Sequence, residues 1–454
     1  MKTGIMTVRR SLRSIVGLAV AHPALCWWCV AVLSILAYFH NGELVAMRDM
    51  MCHVARLDQL ADGVLVPTPI DAANTLAEYG DPCGNTAVNS PLAYALAILP
   101  WTIVRSSTEN AITAVLLANG ILGSGLCALA IALAGRNRWF IMAVCSMPIT
   151  LLSIAWVGAD TMAITTAMIM LGCVLGLLDS ESWLRRHLNA ALAIMLLDAV
   201  ALGCMKSNLC AIAVVPLILP VLLGRKTWSW ARAASVFAAQ AATMITWALS
   251  VRGIPPITCG TGSCGYYRHG YADRWLQFFS DPLGAVKSII TTTFGWASGD
   301  DSFARISIEW SLVTGTGYVR DEGRPTFTMV VALAGLIPLF IVGFLYSTGW
   351  FETETGLRLP RWAKCVASAW CVGFVALTMF MVLMVAPQSV YGGQIIGLQG
   401  RYFVYMIPIA LLCLPRAKWI KIDDSKTSYQ HGSAMTLASS LAALTTIVIP
   451  GLIA

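Results

Sequence analysis

Apolar residues run along this chain in blocks of span length, separated by short polar stretches in which basic residues collect. The blocks fall at about 15–39, 110–134, 139–157, 160–178, 188–204, 207–223, 233–251, 326–347, 365–386, 400–414 and 433–453. A helix needs roughly 17–25 residues to cross the hydrocarbon of a bilayer, so the pattern predicts an all-α integral membrane protein with about eleven transmembrane helices. A further apolar stretch, "PLAYALAILPW" from Pro91 to Trp101, is short for a crossing. Counting it as one would place the loops around Arg136 and Arg185 outside, against the tendency of Lys and Arg to stay on the cytoplasmic side. It is expected to be a re-entrant or surface helix of the first outer loop.

Composition agrees with the pattern. The chain has 454 residues, of which 57% are hydrophobic and 12% charged, with mean hydropathy +0.72. A soluble globule is nearer half apolar and about a quarter charged. The net charge of +7 matters through its placement: six stretches, from Lys2–Arg13 to Arg416–Lys426, hold 18 of the 30 Lys and Arg residues. These mark the cytoplasmic loops and put the N-terminus inside. The long segments 40–109 and 252–325 then face outward, carrying 16 of the 23 acidic residues when Asp160 is included. No repeat or linker separates a soluble domain, so residues 1–454 form one polytopic domain, and the first apolar run reads as a retained span because no small-residue cleavage pattern follows it. Membrane lipids, not nucleic acid, are the expected surroundings.

Most of the fourteen cysteines lie in spans as small apolar residues. Two pairs differ: Cys259 and Cys264 bracket "CGTGSC" in the second outer loop, and Cys52 and Cys83 both lie in the first. In an oxidising compartment each pair could close a disulfide.

Charged residues gather at the outer membrane edge. In "MRDMMCHVARLDQLADG", Asp49, His53 and Arg56 stand at i, i+4 and i+7, which puts them on one helical face. Met50, Val54, Leu57 and Ala61 share the neighbouring face, as in an amphipathic helix lying on the bilayer. That polar face reads either as a solvated surface or as a carboxylate base with a His and an Arg to position it or hold an anion. Asp160, after "SIAWVGA", reads as a functional acid at a span mouth, as the N-cap of the next span, or as both. Lys206, in a short outer turn, can reach a headgroup phosphate or snorkel, and could also pair with Asp198, eight residues earlier and within about a quarter turn of the same face. In "GGQIIGLQGRYFVYMIPIALL" a glycine-rich turn delivers Arg401, whose fork suits phosphate, beside the interfacial aromatics Tyr402, Phe403 and Tyr405.

These residues together resemble a bacterial multi-span family of unknown function grouped with the GT-C glycosyltransferases. Its D-E-x-x-H-x-x-R motif is matched by Asp49, His53 and Arg56, with Met50 in place of the Glu; its P-L-x-Y segment by "NSPLAYALAILP" from Asn89; its late acid by Asp160; its Lys turn by Lys206; and its Q-G-R-Y-F block by "LQGRYF" from Leu398. The Lys turn departs from the family in reading Lys206-Ser207-Asn208-Leu209, without Pro or aromatic, and "FGWASGDD" from Phe294 only loosely follows a G-W-L-D segment. The resemblance implies a GT-C fold in the bacterial plasma membrane and a transferase that takes a sugar from a polyprenyl phosphate or diphosphate at the outer face. The acceptor would be a cell-envelope glycan or a lipid-linked sugar. Asp49 is the implied catalytic base, with His53, Arg56, Asp160, Lys206, Arg401 and Tyr402 as substrate-binding residues. GT-C enzymes divide between those that hold a divalent cation with several outer acids and those that need none, and the sequence leaves both open.

A lipid or sugar transporter or flippase, and a non-catalytic or degenerate scaffold, are the competing classes. A transporter favours paired charges near the midplane and broken helices in repeated halves, whereas here charge is concentrated at one edge. The membrane orientation is open to a direct test. Single-cysteine variants on a cysteine-free background should react with an impermeant reagent in intact cells at position 206 and within 252–325, and should stay unreactive at 136, 186 and 225. Labelling of position 186 contradicts the assignment.

Overall fold

The computed structural model describes residues 21–40, 48–67, 88–106, 108–252, 271–294, 325–385, 393, 395, 400–417 and 426–446, and among these no strand occurs. In chain order the α-helices of five or more residues are α1 (Pro23–His40), α2 (Arg48–Ala61), α3 (Ala95–Val104, entered through a 3₁₀ turn at Pro91–Tyr94), α4 (Thr108–Leu133), α5 (Arg138–Cys145), α6 (Pro148–Ala155), α7 (Ala159–Leu178) and α8 (Leu188–Gly203). A 3₁₀ segment at Ser207–Ile218 leads into α9 (Leu219–Leu223), followed by α10 (Trp230–Ser250), α11 (Tyr271–Ser280), α12 (Pro282–Phe294), α13 (Pro325–Thr348), α14 (Trp350–Thr355) and α15 (Arg361–Val385). A second 3₁₀ segment, Gly400–Met406, runs into α16 (Ile407–Cys413), and α17 is Lys426–Thr445.

The helices follow the apolar blocks, but fewer are long enough to span. Among the described residues four are long and apolar enough to cross a membrane: Ala111–Leu133, Ala159–Leu178, Trp230–Ser250 and Arg361–Met384. A fifth crossing results if α5 and α6 count as one, although they meet at 81°. Pro148 at the start of α6 explains the break, because it lacks the N–H that would continue the ladder from α5. The blocks at 188–203, 207–223 and 400–413 form shorter apolar helices, and the stretch at 91–104 is likewise short. The proposed Cys52–Cys83 and Cys259–Cys264 pairs lie outside the described residues.

α7 is the central helix, buried along almost its whole length. It packs against α4 through Gly172 and Gly176, a small-xxx-small pair that lets two backbones approach closely. A Cβ at Gly172 would lie 2.5 Å from the Ala130 carbonyl oxygen, and one at Gly176 would lie 2.1 Å from that of Leu133. No side chain fits there without parting the helices.

The polar connections sort to two ends of the bundle. At one end Arg136, on the α4–α5 turn, grips Asp179 after α7 with Nε at 3.1 Å, Nη2 at 2.9 Å and its own backbone N–H at 2.9 Å. Arg232 reaches Asn189 at 3.2 Å, while Arg416 and Arg358 both bind Glu352, at 2.8 and 3.0 Å. Thus the basic turns after α4, α7, α9, α13 and α16 gather together, and the turns carrying Asp160, Lys206 and Arg401 gather at the opposite end. The sequence-based alternation predicts this sorting.

The Gly176 contact gives a stability prediction. Gly176→Ala should lower the thermal stability of the purified protein by about 1–3 kcal/mol, the usual cost of overpacking, and native-like unfolding would show that α4 and α7 do not meet there.

Candidate functional site

The turn Trp156–Gly158 between α6 and α7 is pinned from two sides. Asn119 of α4 donates from Nδ2 to the Trp156 carbonyl at 3.0 Å, and the Thr161 hydroxyl donates to the same oxygen at 3.0 Å. Asp160 therefore leaves a fixed turn in the first turn of α7, where the partial positive charge of a helix N-terminus favours a carboxylate. It does not act as the N-cap: Gly158 holds that position, and the Asp160 carboxylate points away to two cations.

Lys206, at the start of the 3₁₀ segment that follows α8, forms an ion pair with Asp160 Oδ1. Arg401, at the start of the other 3₁₀ segment, places Nε 2.8 Å from Oδ2. Asp160 and Arg401 are buried, at 7% and 6% exposure, so both charges are met inside the protein and not by bulk water. Tyr402 lies under the pair, with Lys206 Nζ 4.4 Å and Arg401 Cζ 5.8 Å from its ring centre. The aromatic face adds attraction for both cations. Lys206 is thus committed to Asp160, and the pairing with Asp198 considered from the sequence is not formed. Asp198 is buried in α8 with Oδ2 unpartnered.

α2 borders this cluster. Its polar face turns inward against the segment 88–94. His53 Nδ1 lies 2.6 Å from the Tyr94 hydroxyl, which also accepts from Asn89 Nδ2 at 3.1 Å. The other ring nitrogen, Nε2, faces Gly158 just before α7. Arg56 is fully buried and binds backbone and side-chain oxygens: Nε to Asn89 O at 3.3 Å, Nη1 to Gln59 Oε1 and Val64 O at 3.1 Å each, and Nη2 to Leu65 O at 2.8 Å. Asp58 and Asp62 continue the attachment, accepting from Trp101 Nε1 and Arg105 Nη1 at 2.7 Å each. Asp49 stands one helical turn before His53 in α2, and its side chain lies outside the described residues.

Of the residues singled out from sequence, the fold brings Asp160, Lys206, Arg401 and Tyr402 into contact and sets His53 beside their turn. Arg56 is built into the wall behind them. Tyr94 belongs to the site as the partner of His53 and Asn89 as the partner of Tyr94, and the signal for them was the quoted "NSPLAY" segment. Among the described residues no group of three His, Cys, Asp or Glu side chains gathers as a metal ion would need.

Apolar helices long enough to cross a bilayer, with buried charge held between them at one end of the bundle, mark an integral membrane protein. The chain belongs to the DUF2142 family of predicted membrane proteins, whose family model matches residues 71–413. That match takes in Asn89, Tyr94, Asp160, Lys206, Arg401 and Tyr402, while Asp49, His53 and Arg56 precede it. No curated protein and no solved structure matches the chain.

The contacts of Arg56 predict a structural effect. Arg56→Lys loses the fork that spans these oxygens and should lower thermal stability by about 3 kcal/mol, with faster proteolysis in residues 62–67. Native stability combined with weakened anion binding would instead make Arg56 a ligand contact.

Proposed function

We propose that the protein is a GT-C type glycosyltransferase that transfers a sugar from a polyprenyl phosphate or diphosphate to a cell-envelope glycan or lipid-linked acceptor at the outer face of the bacterial plasma membrane. The observation that carries the reading is the meeting of Lys206 and Arg401 on Asp160 at the end of the bundle opposite the basic turns. Placing the basic turns in the cytoplasm puts this cluster at the outer leaflet, with eleven crossings and a cytoplasmic N-terminus.

The chemistry divides among the residues as follows. Asp49 takes the proton of the acceptor hydroxyl while that oxygen bonds to the anomeric carbon. The bond from that carbon to the phosphate oxygen breaks, and the polyprenyl phosphate leaves with the electron pair. Lys206 and Arg401 stabilise the charge that grows on the leaving phosphate, and Tyr402 holds the two cations at the interface. Asp160, with both oxygens already engaged, is a positioning residue: it sets the cations where an anion is to bind. His53 orients the acceptor side through Nε2, and Arg56 fixes the wall that carries it. A divalent cation would be held by carboxylates of the outer loops, where it would neutralise charge on the leaving phosphate.

Purified protein in lipid, incubated with a panel of radiolabelled polyprenyl-phosphate sugars, tests the proposal. At least one should give labelled product, and Asp49→Asn should slow that turnover about a hundredfold or more, within the range typical of general-base removal, while donor binding survives. Arg401→Lys should weaken donor binding and turnover together, since an ammonium cannot copy the two-pronged contact. Near-native turnover in Asp49→Asn excludes it as the base, and no transfer from any donor, with saturable donor binding intact, would move the reading to a lipid or sugar transporter, or a non-catalytic scaffold.

A further inference from the structure

Two helices of the long loop segment 252–325 turn apolar side chains away from the bundle. α12 uses one face for packing: Gly284, Ala285 and Ser288 are buried, and at its end Thr292 Oγ1 accepts the Ile395 N–H at 2.9 Å. The opposite face presents Leu283, Val286 and Ile290 at i, i+3 and i+7, exposed by 76, 50 and 53%. A helix lying between a protein core and water is polar on that side. α11 follows the same pattern, with Trp275, Leu276 and Phe279 all exposed, the last two by 67 and 73%. Large apolar side chains gathered in this way on one pair of helices mark an interaction surface.

The position of the pair says what covers it. α15 is one of the helices long and apolar enough to cross a bilayer, and its first turn lies with the basic turns, where Lys364 donates to the Leu414 carbonyl at 2.6 Å. α11 and α12 both pack on α15. Trp275 and Phe278 meet Phe380, with ring centres 5.9 and 5.2 Å away. Phe380 is five residues short of the far end of α15, about 7.5 Å at 1.5 Å per residue. Helices lying in a membrane interface sink their apolar face about 5–10 Å into the boundary between headgroups and acyl chains, so α11 rests at that depth. The charged cluster lies nearby: Thr378 of α15 accepts from Asn208 Nδ2 at 3.3 Å, two residues beyond Lys206.

Length and charge fit the same placement. α11 has ten residues and α12 thirteen, short of the roughly 17 that a crossing needs. Asp281, at the joint between them, is exposed and accepts the Gly284 N–H at 2.9 Å, which suits the headgroup layer and not hydrocarbon. Lys287 is exposed at the edge of the apolar face of α12, where its stem can lie along acyl chains while the ammonium reaches phosphate.

We propose that α11 and α12 are an interfacial anchor whose exposed face is covered by lipid of the leaflet on the Lys206 and Arg401 side. Acyl chains lie against Leu276, Phe279, Leu283, Val286 and Ile290, and headgroup phosphate lies at Lys287. The anchor is tied through Thr292 to Ile395, five residues before the 3₁₀ segment that carries Arg401. It is independent of the transferase reading and would stand if that reading failed.

Photolabelling of the wild-type protein in liposomes, with a phospholipid that carries a diazirine in the upper part of its acyl chain, tests the proposal. Mapped by mass spectrometry, the label should fall within residues 275–290 as it falls on the exposed Val366 and Val372 of α15. Spin labels at single cysteines placed at 276, 279, 283 and 290 on a cysteine-free background should relax faster with oxygen than with a water-soluble nickel chelate, and a label at 281 should show the reverse. Label on α15 with none at 275–290, or faster relaxation by the chelate at 276 and 283, overturns the proposal. Crosslinking between copies through a cysteine at 279 also overturns it, because a second copy would then cover the face. The photolabelling decides the matter even if the cysteine-free protein fails to fold.

Discussion

Asp160 carries its charge inside a bundle of apolar helices, and two cations from distant parts of the chain have to come to it. An unpaired carboxylate in that setting is strongly unfavourable, and removing one member of a buried ion pair typically costs about 3–5 kcal/mol. The requirement fixes the geometry around it. The 3₁₀ segment after α8 must start where Lys206 reaches Oδ1, and the segment before α16 must start where Arg401 reaches Oδ2. The α6–α7 turn is braced by Asn119 and Thr161, so the carboxylate is offered from a rigid mount. Buried pairs of this kind are weak sources of stability, and their effect here is to hold the starts of two 3₁₀ segments against the first turn of α7.

The helical class and the sorting of charge to two ends were legible in the sequence because both follow from rules acting on single residues: apolar blocks must lie in hydrocarbon, and Lys and Arg stay in short loops on one side. The cluster was legible in part. Asp160, Lys206, Arg401 and Tyr402 each stood out as charge or aromatic residues beside a span, but nothing local says that one carboxylate binds both cations. Lys206 had a nearer candidate in Asp198, on the preceding span, and the fold pairs it instead with a residue from another span.

The helical face Asp49–His53–Arg56 shows the same limit from the other side. Its periodicity was readable, yet a periodic polar face does not reveal whether it meets water, substrate or protein. Arg56 meets the carbonyl oxygens of residues 64, 65 and 89, because a loop that turns back under α2 leaves backbone acceptors that need donors. His53 meets Tyr94 through the "NSPLAY" segment. The break between α5 and α6 had a visible cause in Pro148; the long 3₁₀ segment at 207–218 carries Pro216 near its end, but the rest of its composition is that of an ordinary apolar helix.

The central claim is that Asp160 holds Lys206 and Arg401 as one preformed anion site for a lipid phosphate. A double-substitution cycle on the affinity for polyprenyl phosphate, without sugar or acceptor, tests it most directly, using the wild type, Asp160→Asn, Arg401→Lys and the double variant. If the three residues act as a unit, each single substitution weakens binding and the second adds little to the first. Losses that simply add, or an Asp160→Asn protein that binds polyprenyl phosphate as the wild type does, would contradict the account.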